Sequence, residues 1–148
     1  MDANELMIRD WVLHDGEPYQ IRQLGICGVN RDGDDYPAVC VGKPKGIGLI
    51  IERNEIEPIP LTREILEKNG FTGGEYKSYT GDVWYLKEEG FRKIGLTMSR
   101  KESTLWGEKI KPLSPDSIGH NFAVPNIKYV HQLQHALIVC GINKEVEV

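Results

Sequence analysis

Long apolar runs, paired cysteines and an excess of basic charge are all missing from this chain of 148 residues. No window approaches the roughly 20 apolar residues that a membrane-spanning helix needs. No basic region followed by an apolar run precedes Trp11, so no secretory signal is expected. Cysteine occurs only as Cys27, Cys40 and Cys140. An odd, widely spaced set with no CxxC pair fits no disulfide framework and points to reduced thiols in the cytoplasm. Net charge is −4 with both signs mixed along the chain, which leaves no broad basic footprint for nucleic acid, only room for a local patch.

Local catalytic signatures are absent too. There is no GxSxG and no cysteine-protease pattern. The glycine-rich stretch Gly42–Gly48 lacks the Gly-Lys-Ser/Thr of a phosphate loop, and GxGxxG does not occur. Asn30, Asp32 and Asp34 imitate the first ligands of a calcium loop. Asp35 stands where that loop requires glycine, however, and Val41 where it requires glutamate. Asp32-Gly33 reads as a turn. His14, Asp15, His120 and Asn121 fall in turns or loops with no spacing that demands catalysis. The reading leans against an enzyme, with no catalytic residue, cofactor or metal assigned.

What the chain does contain is ordinary for one globular domain over 1–148. Hydrophobic residues make up 40%, and the 16 glycines bring the apolar share near half. The clearest local signal is Ile56–Phe71. Pro58 and Pro60 keep Glu57 and Ile59 extended. Thr62 is placed as the cap of a short helix over Arg63–Lys68, with Glu64 at the positive end of its dipole. Asn69-Gly70 ends it. Leu61 and Leu66 have the spacing of a hydrophobic staple, and Leu66 and Phe71 that of a Schellman ending.

Before this helix the chain reads as short strands. Leu6–Leu13 and Tyr19–Leu24 flank Asp15-Gly16, a type I′ hairpin signal. Ile26–Val29, Ala38–Val41 and Ile47–Glu52 follow. Five short strands with regular turns predict an SH3-like small barrel over residues 1–58, since closure would satisfy the exposed edges. After the helix, residues 59–148 read as a helix–sheet–helix region. Tyr76–Tyr79, Val83–Lys87, Phe91–Met98 and Thr104–Ile110 form a second antiparallel sheet, and 111–121 is a surface loop. A C-terminal helix runs from Ile127 or Tyr129 to Cys140, capped by Asn126, with Val130, Leu133, Leu137 and Cys140 as its buried stripe. The expected class is α+β, mostly β.

Five residues stand out as binding candidates. Lys43 and Lys45 sit in a glycine-rich turn that could meet a phosphate. Trp11 and Trp84 read as core, whereas Trp106 precedes a glycine in a polar stretch and reads as exposed. His131 and His135 are four apart, on one side of the last helix. That is a two-histidine metal spacing, but Gln132 replaces the glutamate of HExxH and no third ligand is fixed. The two histidines are therefore read as a solvated or partner-facing surface.

Three blocks of the sequence resemble a family of small uncharacterised proteins of phages, prophages and mobile elements in Bacteroides-type gut bacteria. The first is Glu5-Leu6-Met7-Ile8-Arg9-Asp10-Trp11-Val12, where the family tends to read LRIGNWV or LRIGNYV. Met7 and Asp10 depart from that pattern. The second is Ile56-Glu57-Pro58-Ile59-Pro60-Leu61-Thr62 with the short helix and Asn69-Gly70-Phe71. The third is Tyr129-Val130-His131-Gln132-Leu133-Gln134 with Ala136-Leu137. The resemblance covers about a quarter of the chain. It implies an origin and an architecture, not a mechanism.

Together these observations favour a cytoplasmic, non-enzymatic module that binds a protein partner, as a monomer or as a homodimer through the last helix. Nucleic-acid or nucleotide binding is the alternative, and a small hydrolase using His131 or His135 the third reading.

Overall fold

The computed structural model describes residues 6–78, 81–99, 103–110 and 120–148. The chain forms two compact units, one running to Pro60 and including Val148, the other Leu61–Glu147. It is α+β and mostly β: among the described residues each unit carries a five-stranded antiparallel sheet, and the second also carries two helices.

The first sheet comprises β1 (Trp11–His14), β2 (Glu17–Val29), β3 (Asp35–Gly42), β4 (Gly48–Glu52) and β5 (Glu57–Pro58), in the order β4-β3-β2-β1-β5. The β1–β2 turn is the expected one, with Asp15 at φ 51° and Gly16 at φ 75°. β2 is one long strand where two were expected. Its register against β3 slips between Ile21 and Gln23 and again between Gln23 and Ile26. Gly25, at φ 68°, sits within the second slip. Such bulges bend a strand without ending it.

β1 also starts later than the expected Leu6. The Asp10 carboxylate accepts from the Met7 amide at 2.7 Å, and Arg9 takes a positive φ of 78°. That local turn competes with the ladder. Val12, Ile21, Val39, Val41, Ile51 and Ile56 pack with Leu6 into the core of this unit. Trp11 stays half-buried, and Val12 beside it fills the core instead.

The SH3-like barrel expected here is not closed. β4 and β5 are the two edges of the sheet, and among the described residues no ladder joins them. After β4 the chain enters a 3₁₀ turn, Arg53–Glu55. β5 then offers two residues, one of them a proline with no N–H to give.

In the second unit α1 (Arg63–Lys68) has the predicted bounds and caps. The Ile65 amide donates to the Thr62 hydroxyl at 3.4 Å. The Phe71 amide donates to the Leu66 carbonyl and the Gly70 amide to that of Glu67, both at 3.0 Å, which is the Schellman pair. The sheet order is β10-β9-β8-β7-β6, from β6 (Thr72–Ser78), β7 (Gly81–Leu86), β8 (Phe91–Met98), β9 (Ser103–Lys109) and β10 (His120–Val124). β10 begins inside the segment expected as a surface loop, whose residues 111–119 lie outside the described residues.

α2 (Val130–Val139) is capped at Tyr129 rather than Asn126. The Gln132 side chain accepts from the Lys128 and Tyr129 amides at 2.9 and 3.3 Å, which starts the helix there. Val130, Leu133 and Leu137 are buried as the periodicity requires, while Cys140 is half-buried. A second Schellman pair closes α2, with Ile142 donating to Leu137 at 2.8 Å and Gly141 to Ile138 at 2.9 Å. Among the described residues no helix is long and apolar enough to cross a membrane.

Candidate functional site

The five sequence candidates are divided between the two units. Lys43 and Lys45 share the turn between β3 and β4, in the first unit. Trp106, His131 and His135 belong to the second.

The turn commits Lys43 and leaves Lys45 exposed. Lys43 Nζ lies 3.0 Å from Glu17 Oε2 and 5.6 Å from the centre of the Tyr19 ring. The hydrogen bond from the ammonium to Glu17, with the charge of that carboxylate, raises the Lys43 pKa above its usual value. A phosphate would have to compete with this exposed carboxylate for Lys43, and Lys45 stands exposed beside it.

Trp106 is half-buried on the outward face of the second sheet. It stands in register with Gly95 of β8 and Ala123 of β10, and Gly95 in turn faces Tyr85. The indole lies over Gly95 so closely that a Cβ there would overlap the ring. Its N–H donates to Thr97 Oγ1 at 2.9 Å, and Tyr85 meets it edge-on at 6.1 Å. Lys93 Nζ stands 5.1 Å from the Trp106 ring centre and 5.2 Å from that of Tyr85. An ammonium over two ring faces is held by both quadrupoles. The indole N–H is thus satisfied, and the two rings share one ammonium. Tyr85 is among the aromatics that stand out in the sequence, whereas Lys93 is not, because only the β7-β8-β9 register brings it to Trp106 and Tyr85.

His131 overturns the expectation of a solvated surface, for its side chain is 1% exposed. Its ring stacks on Tyr129 with centroids 5.7 Å apart and planes 7° from parallel. His135 meets it edge-on at 5.9 Å. The four-residue spacing does bring the two imidazoles together, yet as members of an aromatic stack. Among the described residues no group of three or more His, Cys, Asp or Glu side chains is placed to hold a metal ion. Cys140, at the end of the same helix, has its thiol pKa raised by burial, with Lys109 acting weakly against that.

Sequence reasoning missed the most exposed apolar feature of the first unit. Ile47 is 91% exposed, Ile50 61% and Leu49 45%. They lie in and just before β4, at one edge of the first sheet. The run Ile47–Glu52 reads as a strand paired with Ala38–Val41 in a barrel whose closure would cover its edges. Only Ile51 is buried there. Nearby, Pro37, Glu52, Arg53 and Asn54 line an open cleft of about 320 Å³.

No protein-family model matches the chain, and neither the curated proteins nor the solved structures contain a match.

Proposed function

We propose that the chain is a non-enzymatic binding module of phage or mobile-element type that captures a protein partner in the cytoplasm by strand addition at β4. The observation that supports this reading is the exposure of Ile47, Leu49 and Ile50 along an open sheet edge. An edge strand offers a row of main-chain donors and acceptors, and apolar side chains beside it add affinity and register. Nucleic-acid binding has weaker support, because Lys43 is tied to Glu17 and Lys93 to two aromatic rings.

The test is capture from a host-like lysate by the immobilised chain and by an Ile47→Lys/Ile50→Lys variant. Retention of a protein that survives high salt and is lost with the variant is the expected result. Retention of nucleic acid, falling steeply with salt, would replace this reading with the alternative.

A further inference from the structure

We propose that Asn69-Gly70 is a deamidation site held shut by the fold, and that release of the C-terminal segment 142–147 opens the site and then becomes permanent.

Asn69 is the one asparagine of the chain that is followed by glycine. In a free chain such a pair converts through a cyclic imide. The Gly70 amide nitrogen bonds to Asn69 Cγ, and the side-chain nitrogen leaves as ammonia, taking up the proton that the Gly70 amide gives up. Water then opens the imide at one of its two carbonyl carbons and yields aspartate or isoaspartate. Nothing is oxidised or reduced, and water is the only co-reactant. Glycine favours the step because it has no side chain to obstruct its nitrogen or restrict its backbone.

The fold requires both members of this labile pair. Gly70 takes φ 78° at the end of α1. A Cβ there would meet nothing within 4 Å, so the left-handed backbone rather than space asks for glycine. Asn69 is 4% exposed, and its carboxamide serves as donor and acceptor at once. Nδ2 donates to the Ile65 and Glu147 carbonyls, and Oδ1 accepts from the Glu147 amide.

The same contacts block the reaction. The attacking nitrogen is engaged, since the Gly70 N–H donates to the Glu67 carbonyl at 3.0 Å. Ring closure must turn that nitrogen toward Cγ and break the bond. The leaving nitrogen is held on two carbonyls. Two of the three carboxamide bonds go to Glu147, so the lock depends on the segment after α2. Residues 142–147 form neither helix nor strand. Gln134 fastens them at Lys144 and Val146, and Ile142 and Val146 are buried. A terminal segment tied in this way opens locally at a lower free energy than the whole fold. Either product then resists reclosure. An aspartate would face the Ile65 and Glu147 carbonyls with no proton to donate, and isoaspartate adds a carbon to the main chain inside the turn.

Peptide mapping by mass spectrometry, resolving asparagine, aspartate and isoaspartate at residue 69, tests this on the full chain incubated at mildly alkaline pH. The native wild type should convert at least about tenfold more slowly than the same chain unfolded in urea, a protection of 1.4 kcal/mol or more. Gln134→Ala loosens the segment without touching the pair, and should convert faster than wild type with an unchanged circular dichroism spectrum. Should that variant fold poorly, the wild type in urea below its unfolding transition serves instead, and conversion should rise before the dichroism falls. Isolated deamidated protein should exchange its Val146 and Glu147 amide hydrogens at least about tenfold faster than unconverted protein. Native conversion as fast as in urea would overturn the lock. Conversion that follows only global unfolding would overturn its control by the segment, and unchanged exchange after deamidation would overturn its permanence.

Discussion

The side chain of Asn69 binds the backbone of Glu147 as a neighbouring strand would. Its Nδ2 donates to the Glu147 carbonyl at 2.7 Å, and its Oδ1 accepts from the Glu147 amide at 2.9 Å. The same Nδ2 also donates to the Ile65 carbonyl at 2.7 Å. Gln134 repeats the device, donating to the Lys144 carbonyl at 2.8 Å and accepting from the Val146 amide at 2.5 Å. Two carboxamides thus fasten the segment after α2, and Ile142 and Val146 on it are buried.

Asn69→Ala should therefore destabilise the second unit by about 2–3 kcal/mol, since it strands backbone groups beside a nearly buried site. Asn69→Asp should cost at least as much, because it replaces a donor by an acceptor in front of two carbonyls. Urea midpoints measure both. A loss below about 0.5 kcal/mol, the level of an ordinary surface change, would show that the clasp contributes nothing.

Asn69 also marks the limit of what was legible. The helix end was readable, because a Schellman turn is decided by neighbours: Leu66, Asn69, Gly70 and Phe71 span six positions. The clasp was not, as Asn69 and Glu147 are 78 positions apart. The same division runs through the molecule. The Asp15-Gly16 hairpin, Thr62 and both Schellman endings came from local chemistry. The failure of the first sheet to close, the arrival of Lys93 over Trp106 and the burial of His131 depend on long-range register or packing. The periodicity of α2 named Val130, Leu133 and Leu137 correctly but drew the buried stripe too narrow. His131, adjacent to Val130, is inside it.

Gly95 and Trp106 give a paired prediction. A Cβ at residue 95 would overlap the indole, so Gly95→Ala should cost about 1–3 kcal/mol through overpacking and shift tryptophan emission to the red as the ring is displaced. In a Trp106→Ala background the three nearest atoms are gone and the same change should cost much less. The two changes should therefore couple by about 1 kcal/mol or more. Additive effects would mean that the ring moves aside freely.

The two histidines should separate by stability rather than by activity. His131→Ala removes a buried, stacked ring and should cost about 2–3 kcal/mol. His135→Ala removes a half-exposed ring that meets His131 edge-on and should cost less, about 1 kcal/mol. Chemical denaturation of the two variants decides this. Equal, small effects would return His131 to the surface role expected from its sequence position.

Thr62 links the start of α1 to pH. Glu64 is fully exposed, yet its carboxyl titrates below its usual value. Its own backbone amide is the largest cause, followed by a hydrogen bond from the Thr62 hydroxyl and the charge of Arg63, against a small opposing effect of desolvation. A carboxylate whose folded pKa is lowered stabilises the fold above its unfolded value of 4.5. That contribution fades as pH falls through the lower folded value. Thr62→Ala removes both the cap on Ile65 and the hydroxyl that favours ionised Glu64. Loss of the cap should cost about 1 kcal/mol at neutral pH. The cost should shrink below the carboxylate range, where Glu64 is protonated in both proteins and only the Ile65 bond is missing. Glu64→Gln should show the complementary pattern, weaker than wild type at neutral pH and equal to it in acid. Thermal midpoints of the three proteins from neutral to acid pH test this. A Thr62→Ala deficit that stays constant across that range would confine the threonine to its cap and separate it from the titration of Glu64.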